Sequence, residues 1–156
     1  MAKGKDEIQK HINIKNKKAS FEYAFIDTYT AGIVLTGTEI KSIRLNNANI
    51  NDSYAYVAEN EVFVTGMHIS RYTEGTWTNH DPLRVRKLLL NKKEIKKISS
   101  KLQEVGTTLV PFRLFLSEKG LAKLEFAVAK GKKLYDKRED LKEKDAKRDI
   151  DRHMKQ

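Results

Sequence analysis

Apolar side chains alternate along residues 21–27. Phe21, Tyr23 and Phe25 fall on one face of FEYAFID, the period-2 pattern of a half-buried strand. Residues 32–35, GIVL, form a continuous apolar, partly β-branched run and read as a buried strand. Beyond them Ile40 and Ile43 recur at helical spacing. Thr38 is the expected cap of a short helix there, with Arg44 on a neighbouring turn. The runs SYAYVA (53–58) and EVFVTG (61–66) flank Glu59-Asn60 and predict a β-hairpin. Residues 70–82, with Gly75, Asn79 and Pro82, read as a loop. Residues 86–90, RKLLL, fit either a strand or a turn into the next element.

The strongest helical signal covers 92–105. Asn91 is a good N-cap and Glu94, three residues on, completes a capping box. Ile95, Ile98, Leu102 and Val105 make one apolar stripe, and Gly106 supplies a left-handed stop. Strands over 108–116 and 121–129 follow, joined by a turn around Ser117–Gly120; Pro111 implies an edge position or a bulge. About six strands and two or three short helices, several joined by short turns, predict a mainly β fold. An antiparallel barrel of the oligonucleotide-binding type suits them better than a doubly wound sheet.

The ends of the chain have a different character. Residues 1–15 are polar and lysine-rich, with only Ile8, Ile12 and Ile14 as bulky apolar groups, so they read as a flexible segment. The barrel is expected over 16–130. Residues 130–156 hold eleven Lys or Arg and seven Asp or Glu, but few bulky apolar residues. That is too little apolar area to offset about 1–2 kcal/mol per residue of backbone ordering. The good helix formers there, uninterrupted by proline, predict a 131–156 tail that is disordered alone and helical on a partner.

Charge narrows the partners. The 156-residue chain carries a formal +10, with a pI near 9.7, which favours polyanions. No stretch approaches the roughly 18–20 apolar residues of a membrane span, and the first residues lack a signal peptide's apolar run. There are no cysteines, so disulfides and Cys-based zinc sites are excluded, and a cytoplasmic location is expected. Four basic clusters stand out: Lys15, Lys17 and Lys18; Lys41 and Arg44; Arg84, Arg86 and Lys87, followed by Lys92, Lys93, Lys96 and Lys97; and Lys130, Lys132, Lys133, Lys137 and Arg138. Gly131 allows close backbone approach to a phosphate, and Tyr135 places a ring able to stack on a base among lysines.

Catalysis has little to stand on. His11 and His153 lie in the polar ends, and His68, between Met67 and Ile69, reads as structural. His80-Asp81 is the one pair with acid/base potential, as in a nuclease, but adjacency in a loop does not make a site. Metalloprotease, nucleophile-elbow and phosphate-loop motifs are missing, and neither a metal nor a cofactor is expected.

Longer motifs are more specific. GIVLTGTEIKSIR (32–44), N-x-N-x-x-D-S-Y (47–54), NHDP (79–82), RKLLL (86–90), GKKLYDKR (131–138) and DAKR (145–148) occur in this order. Together they resemble the SsrA-binding protein (small protein B) family from about Asn16 to the C-terminus. The resemblance implies a barrel that binds the tRNA-like domain of transfer-messenger RNA. It further implies delivery of that RNA, with elongation factor Tu in the complex, to stalled ribosomes for trans-translation. RNA contacts would come from Asn16, Lys17, Arg44, Leu89, Lys123 and Lys130, beside the clustered Lys18 and Lys87. Thr30 stands where many members carry a glutamate. The tail, with Gly131, Lys132, Lys133, Tyr135, Asp136, Lys137 and Arg138, would enter the decoding centre and mRNA channel of the small subunit, against 16S rRNA. A general rRNA-binding translation factor using the same surface is the alternative reading.

Overall fold

The computed structural model describes residues 12–73 and 79–132. The chain opens on β1 (Asn13–Lys15) and α1 (Lys17–Glu22), then β2 (Tyr23–Ile33) and α2 (Gly37–Arg44). Next come β3 (Ala48–Asn49), the hairpin β4 (Tyr54–Ala58) and β5 (Glu61–Thr65), β6 (His68–Ile69) and β7 (Arg86–Leu89). The last described elements are α3 (Lys92–Leu102), β8 (Thr107–Leu116) and β9 (Ala122–Gly131). Strands β8, β4, β5, β7, β2 and β9 pair in that order, and β9 closes back onto β8. The result is the six-stranded antiparallel barrel expected from the sequence. β1 adds to β8, and β3 pairs with β6 in a separate two-stranded sheet.

The barrel is filled by residues such as Ile43, Val62, Leu88, Leu114, Leu124 and Phe126. Ile98 is fully buried on this core, with Ile95 and Leu102 packed beside it, so α3 acts as a plug. A smaller cluster of Ala19, Val110 and Ala129, with Tyr23, Phe25 and Phe112 around it, fastens α1 to the barrel. Two bulges let the long strands curve: the β2–β9 register shifts between Phe25 and Asp27, and β8–β9 shifts between Pro111 and Arg113. Pro111 therefore sits at a bulge, one of the two settings its missing N–H permits.

Several sequence expectations need correction. Phe21 lies in the last turn of α1 instead of starting a strand, and the two strands expected at 21–27 and 32–35 are one eleven-residue strand, β2. Residues 27–33 carry their inward side chains on Tyr29, Ala31 and Ile33, an alternation interrupted by polar Asp27 and Thr28. Thr36, not Thr38, caps α2: its Oγ1 accepts the Glu39 N–H (3.4 Å), and the Glu39 carboxylate accepts the Thr36 N–H (2.9 Å). The Asn91–Glu94 capping box of α3 forms as expected. Replacing Asn91 by Ala should cost about 1 kcal/mol, measured by urea unfolding. The helix ends at Leu102, and Val105 is 93% exposed. The Thr107 hydroxyl donates to the carbonyls of Lys101 and Glu104, closing the helix before its stripe completes. Asn13–Lys15 is already a strand, so order precedes Asn16.

Glu59-Asn60 turns the hairpin as read, both residues with positive φ (52° and 62°) as a two-residue turn of this hand requires. At Gly66 (φ +75°) a Cβ would lie 2.5 Å from the Asp52 carbonyl oxygen, so this loop admits only glycine.

Candidate nucleic-acid interface

Cross-strand register places Phe115, Lys123, Gly32 and Leu89 in one row running over β8, β9, β2 and β7. Leu89 is 54% exposed although it belongs to an apolar run. A Cβ built on Gly32 would meet Leu89 Cδ1 at 3.6 Å and Lys123 Nζ at 3.8 Å. The glycine thus leaves a shallow notch, with an apolar side chain on one side and an ammonium on the other. Arg44, exposed at the end of α2, brings Nη2 within 3.8 Å of where a Gly120 Cβ would stand, beside the turn that leads into β9. Lys123, Leu89 and Arg44 therefore gather toward the start of β9.

The opposite end of β9 is different. Lys130 is tied to Glu104 in an ion pair, and Gly131 faces Tyr23 at the last register position. The Lys132 N–H donates to the Glu22 carbonyl at 2.8 Å, so the chain leaves past the end of α1. Lys130 lies seven positions after Lys123, roughly 23 Å along an extended strand. Lys133, Tyr135, Asp136, Lys137 and Arg138 lie outside the described residues, as does nearly all of the tail.

The remaining expected contacts divide by environment. Lys17 and Lys18 are exposed on the first turn of α1, near Lys15. Lys87 faces outward but is paired with Glu61 at 2.8 Å. Thr30 is exposed and registers against Glu125, whose carboxylate holds Arg113 in an ion pair, so an acid stands one strand away from it. Among the described residues, Lys15, Lys17, Lys18, Arg44 and Lys123 take part in no ion pair. Asn16 is only 6% exposed. Its Nδ2 donates toward the carbonyls of Ile50 (3.5 Å), Asn51 (3.4 Å) and Pro111 (3.3 Å), joining α1 to two distant segments. Asn16→Ala should therefore destabilise the fold by about 1–3 kcal/mol, read by chemical denaturation, before any effect on a ligand.

Arg86 is withdrawn from the surface altogether. Both it and Glu39 are fully buried; the guanidinium pairs with the Glu39 carboxylate and donates to the Met67 carbonyl at 2.7 Å. Arg84 donates to the other Glu39 oxygen at 2.6 Å. Burial by itself would raise the Glu39 pKa, but hydrogen bonds from Arg84, the Thr36 N–H and Arg86 outweigh it and hold the carboxyl below its ordinary value. Asp27 is lowered too, by hydrogen bonds from Lys101 and Tyr29. Depressed carboxylate pKa values stabilise the fold above the unfolded values, near 4, and that stability is lost as pH falls through the folded values. A pH series of melting temperatures should be flat around neutrality and drop below about pH 4.

The suspected acid/base pair is occupied by structure. His80 is buried; Nε2 lies 2.8 Å from the Ile69 carbonyl and Nδ1 lies 2.9 Å from Thr38 Oγ1. A carbonyl only accepts, so Nε2 donates to Ile69, and the Thr38 hydroxyl bonds the other ring nitrogen. The Asp81 carboxylate accepts the Leu83 N–H (3.0 Å), turning the loop. His68 points outward between buried Met67 and Ile69, so it is not a core histidine. Among the described residues there is no His, Asp or Glu cluster able to hold a metal, and no helix is long and apolar enough to cross a membrane.

Sequence reading missed an outward aromatic pair. Tyr56 and Phe63 register across the hairpin with ring centroids 5.7 Å apart, and Phe63 registers in turn with Lys87. The signal was present in the alternation of SYAYVA and EVFVTG, whose aromatic and aliphatic sets fall on opposite faces.

A closed antiparallel barrel with unpaired cations and an apolar notch on its outer face is a nucleic-acid-binding module of the oligonucleotide-binding class. The comparisons agree. A family model described as SmpB protein matches residues 13–156. Proteins named SsrA-binding protein are similar along nearly the whole chain. That of Phocaeicola vulgatus is 62% identical over 144 residues, covering 92% of this chain and 96% of the relative. That of Bacteroides thetaiotaomicron is 58% identical, covering 94% and 98%, and that of Thermoanaerobacter pseudethanolicus 52%, covering 97% and 96%. A solved structure described as "tmRNA-SmpB: a journey to the center of the bacterial ribosome" contains a chain 37% identical to this one, with a TM-score of 0.67. The match covers 79% of this chain and 86% of that one. This chain belongs to the SmpB protein family. The relatives are named as binding proteins, and in this barrel the His80 ring and the Asp81 carboxylate both hold loops.

Proposed function

We propose that this chain binds the tRNA-like domain of transfer-messenger RNA and delivers it to stalled ribosomes for trans-translation. The observation that carries the reading is the exposed Leu89–Gly32–Lys123 notch, on a chain whose relatives are named for binding SsrA RNA. Lys17, Lys18, Arg44 and Lys123 supply phosphate contacts, Leu89 supplies an apolar contact, and Thr30 offers a hydroxyl. Lys87 and Lys130 exchange their carboxylate partners for phosphates on binding. Asn16 acts through the fold, by holding α1 and its lysines in place.

Residues 16–130 form the RNA-gripping body in this reading, with Ile12 and β1 packed onto it ahead of Asn16. Residues 131–156 form the tail, which beyond the end of β9 at Gly131 folds as a helix only against the small subunit. There Gly131, Lys132, Lys133, Tyr135, Asp136, Lys137 and Arg138 meet 16S rRNA in the decoding centre and mRNA channel. Elongation factor Tu accompanies the delivery complex, and the setting is the cytoplasm. The departure of the chain from the far end of β9 supports the division, because the tail leaves roughly 23 Å from Lys123.

Equilibrium binding to a tRNA-like-domain transcript across a salt series tests the proposal. Log affinity should fall linearly with log salt, and Lys123→Ala should weaken binding and flatten the slope by about one unit. An affinity no greater than for an unrelated hairpin would overturn it.

A further inference from the structure

We infer that the outer face of the β4–β5 hairpin is a stacking platform for unpaired bases of the RNA held on the Leu89–Gly32–Lys123 row. The inference rests on the function proposed above and adds to it a second, electrically neutral subsite.

Tyr54 and Tyr56 point outward from β4, 54% and 37% exposed, while Ala55 between them is buried. The Tyr56 and Phe63 rings are nearly parallel, 27° apart, and present a broad apolar surface outward instead of filling the core. Phe63 registers with Lys87, and Lys87 lies two residues from Leu89 on the same face of β7. Strand periodicity puts Lys87 and Leu89 roughly 6.6 Å apart, so the aromatic row and the notch row are neighbours on one continuous surface. Val34, 43% exposed, donates its N–H to the Lys87 carbonyl at 3.0 Å and extends the apolar strip toward β2.

Three aromatic rings on a solvent face need an occupant with flat apolar faces, and continuity with a cation-lined notch selects nucleobases. Local charge fixes the mode of contact. The three rings carry no charge, so the platform itself adds stacking and not phosphate attraction. A perfectly paired helix hides its base faces. The ligand here is therefore a loop or bulge whose bases are splayed out.

The test compares wild-type protein with Tyr56→Leu, Phe63→Leu and Tyr56→Phe, each checked by thermal melting. The probes are a tRNA-like-domain transcript and a blunt A-form RNA duplex lacking unpaired bases. Either leucine variant should bind the transcript about tenfold or more weakly, since each lost base stack is worth roughly 1–3 kcal/mol. Its salt slope should not change, because no phosphate contact is lost. Tyr56→Phe should bind within about twofold of wild type, and the duplex should not distinguish any of the four proteins.

Leucine variants that bind the transcript like wild type would overturn the platform while leaving the proposed function standing. Equal losses on transcript and duplex would also overturn it. So would sedimentation showing a wild-type dimer that the leucine variants dissociate, which would make this face a contact between two copies. A wild-type protein that ignores the transcript would remove the proposed function and this inference together.

Discussion

Replacing Glu39 by alanine is expected to destabilise the fold by roughly 3–5 kcal/mol, the typical cost of removing one partner from a buried ion pair. Arg86 is fully buried and would keep its charge with only carbonyl partners, while Arg84 is partly exposed and could turn to water. The same substitution breaks the capping box of α2, because the Glu39 carboxylate also accepts the Thr36 N–H. A melting temperature lower by roughly 10–15 °C is the expected readout. Glu39→Gln should be milder. Joining Glu39→Leu to Arg86→Met should recover much of the loss, since an apolar pair can match a buried ionic one. Double-mutant stability no better than that of Glu39→Ala would contradict this account of the core. The functional consequence is indirect: Glu39 anchors the helix that presents Arg44, so the single variant should lose RNA affinity only as far as it unfolds.

The second large effect concerns function alone. Replacing Tyr135-Asp136-Lys137-Arg138 by four alanines should leave binding of the tRNA-like domain within about twofold of wild type and abolish tagging of stalled chains in a reconstituted translation system. The proposed RNA-contacting row lies toward one end of β9, whereas these residues follow its other end. In the proposed division the tail acts only on the ribosome, so losing its contacts should remove that step without disturbing the barrel. Parallel loss of RNA binding and tagging would show that grip and delivery are not divided between body and tail.

Legibility in the sequence followed the reach of the forces involved. The hairpin at Glu59-Asn60, the Asn91–Glu94 cap and the Pro111 bulge were readable because each is settled within a few residues by turn chemistry or a missing N–H. The two halves of β2 read as separate strands because Asp27 and Thr28 interrupt the apolar pattern; Lys101, 74 positions on, pairs with Asp27, and Tyr29 on the same strand donates to it. Phe21-Glu22 read as strand because alternation cannot reveal that α1 is held against Val110 and Ala129 from distant segments. Arg86 passed for a surface cation for the same reason, its carboxylate lying 47 positions away. Of the expected site, Leu89 and Lys123 are brought together by register alone, and only the family resemblance singled them out. The Tyr56–Phe63 pair was visible as alternation but was spent on predicting the hairpin.

Sequencing the RNA that copurifies with the full chain from its native cells tests the central claim most directly. The account predicts one dominant species, a transfer-messenger RNA with its tRNA-like ends protected, released as salt is raised. Recovery of assorted rRNA fragments in proportion to their abundance would contradict it and favour a general ribosome-binding factor.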